Sequence, residues 1–303
     1  MKEDLRAELY LNLDKYLTEE SPGRFTAGFL GIKLDSVFQP VVDSATDRAI
    51  GFEALLRPSV GGIATIEARM AFEYADAYGK LVRFDRICRT LHLLNSLALP
   101  ADSGLLFVNV HPKLLVSVDS HGRVFEQILQ LYSVPTHKVV IEIQESAVGG
   151  EVTLRKAMDN YRECGYQVAI DDFGRRGSDL GRLWRLAPDF IKSDLGFIRE
   201  VERNEGLRRI FPKLFEIVRE TGAEAVIKGI ETDRQRDFVL ASGARHLQGH
   251  WLGIPAPASY WREFQSGENA QGIADRHRSK VQGTDPLSAQ PNIPPPPRIP
   301  RAD

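Results

Sequence analysis

The sequence predicts an α/β fold in which mostly parallel strands close into a barrel with helices outside. Three observations predict it. Short apolar runs of strand length alternate with segments of helical period along most of the chain. The runs are too apolar for one-sided strands, as expected where both faces are covered. No Gly-x-Gly-x-x-Gly fingerprint follows any of them, which disfavours the open doubly wound alternative.

The elements follow in order. Residues 1–24 read as a charged helical extension ending at the breaker Ser21-Pro22-Gly23. Residues 37–43 and 49–56 are expected as two strands about the turn Ser44-Ala45-Thr46-Asp47. Residues 66–97 read as a helix, with Leu81, Phe84, Ile87, Cys88, Leu91 and Leu94 at helical spacing. Further strands are expected at 105–110, 139–143, 167–171, 190–193, 225–228 and 246–247. The helices between them are expected at 124–132, 151–164, 179–186, 207–221 and 233–242. That spacing allows about eight strands. We therefore expect one barrel domain over 25–266. The tail, 267–303, carries Pro294-Pro295-Pro296-Pro297 and lacks the means to build a core.

Composition excludes several classes. The 303 residues carry a formal net charge of −2, so no global basic surface advertises nucleic acid binding. No uninterrupted apolar stretch approaches a membrane span, and the charged N-terminus has no signal-peptide core. Cys88 and Cys164 are expected as reduced residues, which suits a cytoplasmic setting. The N-terminal helix and the proline tail are the two candidate protein-binding segments; a frayed extension and a plain disordered tail are the alternatives.

The most informative stretch is Val168-Ala169-Ile170-Asp171-Asp172-Phe173-Gly174. An apolar run ends in two adjacent carboxylates, which repel each other unless a cation neutralises them. A capped loop is the competing reading. The other strand ends bear on the choice. Glu53, Asn109, Glu142 with Glu145, Lys192, Lys228 with Glu231, and Gln248 each close an expected strand. The carboxyl ends of barrel strands are where such folds place chemistry, and an all-oxygen set suits Mg²⁺ or Mn²⁺. With no zinc spacing and no nucleophile elbow, metal-assisted attack of water on a phosphate ester is the leading reaction class.

These residues resemble the EAL-domain family of bacterial cyclic di-GMP phosphodiesterases. The resemblance is carried by Phe38-Gln39-Pro40, Gly51-Phe52-Glu53-Ala54-Leu55-Leu56-Arg57-Pro58, Val108-Asn109 and Glu142-Ile143-Gln144-Glu145-Ser146. It continues through Ala169-Ile170-Asp171-Asp172-Phe173-Gly174, Pro188-Asp189-Phe190-Ile191-Lys192-Ser193-Asp194, Gly229-Ile230-Glu231-Thr232 and Gln248-Gly249-His250. It implies a modified (β/α)₈ barrel whose first strand is antiparallel to the rest. It implies that Glu53, Asn109, Glu142 and Asp171 hold one metal and that Asp171 with Asp172 reaches a second. It gives Lys192, Glu145 and Glu231 catalytic roles, and gives Gln39, Leu55, Arg57, Asp194 and Gln248 to ligand binding. Cyclic di-GMP is the implied ligand, and a homodimer is compatible with the family's habits.

Two departures matter. Where the family reads Ala-Glu-Gly-Val-Glu, this chain has Ile227-Lys228-Gly229-Ile230-Glu231, so Lys228 replaces a glutamate that ligates the second metal. A protonated ammonium has no lone pair for a cation. After the Asp pair, Thr-Gly-Tyr-Ser-Ser becomes Arg175-Arg176-Gly177-Ser178-Asp179. Losing one metal of a two-metal clamp costs roughly a thousandfold or more in rate. The expectation is a catalytically impaired receptor or interaction module; an active Mg²⁺- or Mn²⁺-dependent phosphodiesterase releasing pGpG is the alternative.

Overall fold

The computed structural model describes residues 13–62, 64–117, 121–146, 150–174 and 180–266. Eight of its strands close into the expected barrel. They are β3 (Ile32–Asp43), β4 (Arg48–Val60), β6 (Leu105–Asn109), β7 (Val139–Gln144), β8 (Gln167–Phe173), β9 (Phe190–Ser193), β10 (Glu224–Ile227) and β11 (His246–Leu247). Neighbours run β3-β4-β6-β7-β8-β9-β10-β11, and β11 returns to β3. Strand β3 is antiparallel to both β4 and β11, whereas the six pairings from β4 to β11 are parallel.

The barrel interior follows from the period of two along each strand. Val41, Phe107, Val140, Ala169, Phe190 and Val226 point inward and pack as a separate apolar plug. Gly51 makes room for it: a Cβ there would lie 2.8 Å from the Phe107 ring and 2.4 Å from the Leu105 carbonyl. The opposite faces of the strands join the main core, where Phe52, Val108, Ile141, Ile143, Val168 and Ile191 meet the helices.

The helices are α1 (Ala68–Ala77), α2 (Leu81–Ser96), α3 (Pro112–Ser117), α4 (His121–Leu131), α5 (Gly150–Glu163), α6 (Leu180–Leu186), α7 (Phe197–Arg203), α8 (Glu205–Glu220), α9 (Asp233–Ala241) and α10 (Ala258–Ser266). Helix α8 shows why such segments form. Phe211, Phe215 and Val218 bury one stripe, and the Asn204 side chain caps the start by accepting from Gly206 and Leu207 N–H.

Three expectations need correction. The single helix expected at 66–97 is two, broken at Gly79, whose φ of 64° is a left-handed conformation open to glycine. Of the helical extension expected over 1–24, the second half is a hairpin instead: after the 3₁₀ turn Asp14–Tyr16 comes strand β1 (Leu17–Ser21), and the Pro-Gly breaker is the hairpin turn into β2 (Arg24–Phe29). Strand β2 pairs with the start of β3, Ile32 to Leu34, and β5 (Ala64–Thr65) pairs with the end of β4. The hairpin is pinned to α2 by Asn95, which accepts from Phe25 N–H at 3.0 Å and donates to its carbonyl at 2.9 Å. Helices α3, α7 and α10 were not expected; α3 and α7 are too short to show a period. The remaining N-terminal residues, the Arg175-Arg176 loop and the proline tail lie outside the described residues.

Candidate active site at the barrel mouth

One step above the plug, the same strands present polar groups. Two residues past Phe107, Val140, Ala169, Phe190 and Val226 stand Asn109, Glu142, Asp171, Lys192 and Lys228. Gln39 precedes Val41 by two on the antiparallel strand, and Glu53 follows Gly51. Period-two geometry therefore brings all seven to one layer.

Two ammonium groups organise it. Lys192 is fully buried, 5.3 Å above the Phe107 ring, and donates to Glu53 Oε2 at 2.6 Å and to Glu142 Oε1. Lys228 donates to Asp171 Oδ1 and, at 2.8 Å, to Asp172 Oδ1. Amides complete the ring. Asn109 Nδ2 donates to Glu53 Oε1 at 3.1 Å, and Gln248 Nε2 to Glu53 Oε2 at 2.9 Å. Gln39 Nε2 is tied to the Gly253 carbonyl at 3.0 Å.

Adjacent strand residues normally face opposite sides, so Asp171 and Asp172 should not share a partner. They do because β8 loses register between Ile170 and Phe173, and Asp172 takes a left-handed φ of 57°. Asp is one of the few residues that adopts this conformation at modest cost. Ser193 fixes the other side, accepting the Lys228 backbone N–H at 3.0 Å. Gly229 follows at φ 79°, where a Cβ would meet the Leu195 carbonyl at 2.6 Å.

Electrostatics keep both lysines charged. Burial works against the Lys192 ammonium, but Glu142, Glu53 and Asp171 outweigh it and raise its pKa. Lys228 is also raised: burial opposes its charge, and Asp171 leads the carboxylates that prevail. Burial would lift the Glu53 carboxyl, yet Lys192 and Lys228 bring it down to about 2. Glu142 is pushed up by burial and by Glu53, and Asp171 mainly by burial.

The residues fit one divalent cation better than two. Four carboxylates, Glu53, Glu142, Asp171 and Asp172, face two ammonium groups, leaving negative charge in excess. Glu142 Oε2 is buried with no hydrogen-bond partner among the described residues, an acceptor suited to a hard cation. Between Asp171 and Asp172, by contrast, the Lys228 ammonium fills the place of a charge-neutralising ion. Among the described residues, no three His, Cys, Asp or Glu side chains converge as a ready metal cage.

Not every expected site residue joins the cluster. Glu231 turns to the surface and pairs with Arg199 at 2.6 Å, both about half exposed. Glu145 is buried and donates its backbone N–H to the Asp171 carbonyl at 2.9 Å. Asp194 accepts from Gly196 N–H at 2.8 Å and shapes the turn after β9. Leu55 is half-buried and Arg57 exposed further along β4. His92 was not foreseen: it is buried beside Arg57, with Nδ1 2.6 Å from Ser36 Oγ. A histidine on an apolar helix face gives no sequence signal of such a contact.

A family model described as the EAL domain matches residues 29–255. The chain belongs to the EAL-domain family. The EAL domain here is 27% identical over 225 residues to the probable cyclic di-GMP phosphodiesterase PdeB of Escherichia coli K12, covering 71% of this chain and 41% of PdeB. It is 30% identical over 163 residues to the EAL-domain containing protein YkuI of Bacillus subtilis 168, covering 52% of this chain and 40% of YkuI. The chain thus spans about two-fifths of the length of these curated relatives. Among solved structures, the PaMucR phosphodiesterase in complex with c-di-GMP superposes with a TM-score of 0.65 at 27% identity, over 75% of this chain and 93% of that one. The manganese and c-di-GMP complex of Klebsiella pneumoniae BlrP1 gives 0.67 at 25% identity, over 74% and 56%. The hairpin β1–β2 lies almost wholly before the matched region of the EAL domain.

Proposed function

We propose that this EAL domain binds cyclic di-GMP at the barrel mouth and hydrolyses it poorly or not at all, serving as a receptor or protein-interaction regulator. The observation that carries the reading is the double ion pair of Lys228 with Asp171 and Asp172. An ammonium there offsets part of the pair's charge and offers no ligand to a metal. Binding and hydrolysis draw on different parts of a site, so one can survive the loss of the other.

Recognition is supported by the relatives solved with c-di-GMP and by the residues at the mouth. Arg57 is exposed on the rim, where its planar fork suits a phosphate. Leu55 offers apolar contact beneath it. Gln39 and Gln248 meet at the floor, and Gln248 Oε1 is a buried acceptor without a partner. Lys228 presents positive charge toward a bound phosphodiester.

The second reading is an active Mg²⁺- or Mn²⁺-dependent phosphodiesterase, and the orphaned Glu142 Oε2 beside Glu53, Asn109 and Asp171 favours it. A divalent ion held by those four residues would supply Lewis-acid activation of water. Opening the ring adds one water: a P–O3′ bond breaks, a P–O bond to the water oxygen forms, and O3′ takes a proton. The chain's own part is to orient the phosphodiester through Arg57 and to hold the carboxylates in place through Lys192.

Calorimetric titration with cyclic di-GMP, with and without Mg²⁺ or Mn²⁺, tests the first reading, together with chromatography for pGpG. Binding with little or no turnover is the expected result. Metal-dependent pGpG formation at rates typical of enzymes, near 10 s⁻¹, would overturn the impaired reading, and absence of binding would overturn the receptor reading.

A further inference from the structure

The sheet continues past the barrel mouth on one side. Along β3 the half-buried residues Asp35, Val37 and Gln39 alternate with the buried Leu34, Ser36 and Phe38. In the antiparallel ladder with β4 they stand opposite Arg57, Leu55 and Glu53. Side chains two apart share a face, so the face that holds Gln39 and Glu53 at the carboxylate layer holds Asp35 and Arg57 further out. Four residues of strand put that outer pair about 13 Å above the layer.

Hairpin β1–β2 widens this wall. Asp35 Oδ2 accepts from Arg24 Nη2 on β2 at 2.9 Å, and Asp35 Oδ1 accepts the Ser36 backbone N–H at 2.7 Å. Asp35 therefore has one arginine on each neighbouring strand, bonded to Arg24 and opposite Arg57 in register. The support beneath Arg24 is fixed. Asn95 holds both backbone groups of Phe25, and Glu19 Oε1 accepts Gly23 N–H at 3.0 Å across the turn. The side chains of Arg24 and Asp35 are 53% and 30% exposed, and an ion pair so open to water adds little to stability.

A carboxylate beside a guanidinium matches the edge of guanine. Guanine O6 and N7 accept hydrogen bonds, which the arginine fork supplies, and its N1–H and N2–H groups donate, which a carboxylate accepts. Adenine carries an amino donor where guanine carries O6, so it would meet Arg24 donor to donor. A guanidinium has five N–H groups and a carboxylate about four acceptor sites, so both can serve a ligand while keeping each other. A phosphate suits the pair less, because the Asp35 carboxylate repels it.

We infer that Arg24 and Asp35 read one guanine base of the ligand, with Arg57 holding the phosphate beside it. Two strand spacings, about 10 Å, separate β4 from β2, a gap that a ribose and a base can bridge. The inference rests on the proposed cyclic di-GMP site in its first test and on guanine alone in its second.

In the first, the full chain is titrated with cyclic di-GMP and with cyclic di-AMP in Ca²⁺ by calorimetry. Arg24→Ala and Asp35→Ala should each weaken cyclic di-GMP binding about tenfold and narrow the preference over cyclic di-AMP by the same factor. Arg24→Lys keeps the charge without the planar fork and should not restore it. Unchanged affinity, or equal losses for the two dinucleotides, overturns the inference and leaves the proposed function standing. In the second, GMP or AMP is added at millimolar concentration to the isotope-labelled chain. Amide resonances over residues 24–37 should move with GMP and not with AMP, and should stay still in Arg24→Ala. If the unaltered chain binds no cyclic di-GMP, the proposed function fails and this second test decides: selective movement with GMP upholds the guanine site, and equal movement with both nucleotides, or none, overturns it as well.

Discussion

Lys228 Nζ reaches Asp172 Oδ1 at 2.8 Å only because Asp172 sits at a φ of 57°, which swings its side chain to the same side as Asp171. A left-handed aspartate and a lysine 56 residues away thereby form one closed cation site.

Replacing that lysine should reopen the site. In Lys228→Glu, three acidic groups, Asp171, Asp172 and the new glutamate, face one another without an ammonium. The variant should be less stable than the parent in chelator and should gain more from Mn²⁺. A ligand at a hundred times its dissociation constant adds about 2.7 kcal/mol. Thermal unfolding with and without Mn²⁺ reads this. Turnover to pGpG should rise at least about tenfold, a change of about 1.4 kcal/mol in barrier; no rise would move the cause of impairment to Arg175-Arg176.

Asp172 should tolerate only residues at ease with positive φ. Asp172→Asn keeps the turn and loses the charge, costing about 1–3 kcal/mol. Asp172→Val adds left-handed strain of about 1–3 kcal/mol. Urea unfolding should rank parent, Asn and Val in that order, and equal stability of the two variants would contradict the strain.

Lys192 is the ammonium on which the carboxylate layer depends. Lys192→Met leaves Glu53 and Glu142 facing each other above the Phe107 ring, and removing one partner of a buried pair costs about 3–5 kcal/mol. Denaturant titration should show this loss near neutral pH. It should shrink in acid, where Glu142, already raised by burial and by Glu53, takes up a proton and relieves the repulsion.

His92 predicts an acid limb. Burial first, and the Arg57 charge second, depress its pKa from 6.5 to about 4. Between those values the unfolded chain binds a proton that the folded chain does not, so stability falls as pH falls. The contribution reaches about 3 kcal/mol below pH 4. Urea midpoints from pH 7 to 4 should show it, and His92→Gln should flatten that part of the curve. An identical slope in the variant would rule the residue out.

Much of the site was legible because it is a consequence of strand period. Each buried run that places an apolar residue in the plug places its polar residue two positions later in the layer above. Glu53, Asn109, Glu142, Asp171, Lys192, Lys228 and Gln248 could therefore be read as one group from strand ends alone. Glu231 could not be sorted the same way. It lies beyond the end of β10, where no strand dictates direction, and its carboxylate goes to Arg199 on a helix too short to be foreseen.

By itself, then, the sequence determined the barrel and the family, since apolar runs, turns and motif residues are local properties of the chain, and the antiparallel first strand came with the family resemblance. The tertiary structure decided which charges meet. The direction of the Asp172 side chain depends on one backbone angle, and the partners of Lys192 and Lys228 on closure of strands 50 or more residues apart. Burial then settles their protonation, because a charge out of water persists only where an opposite charge is held against it.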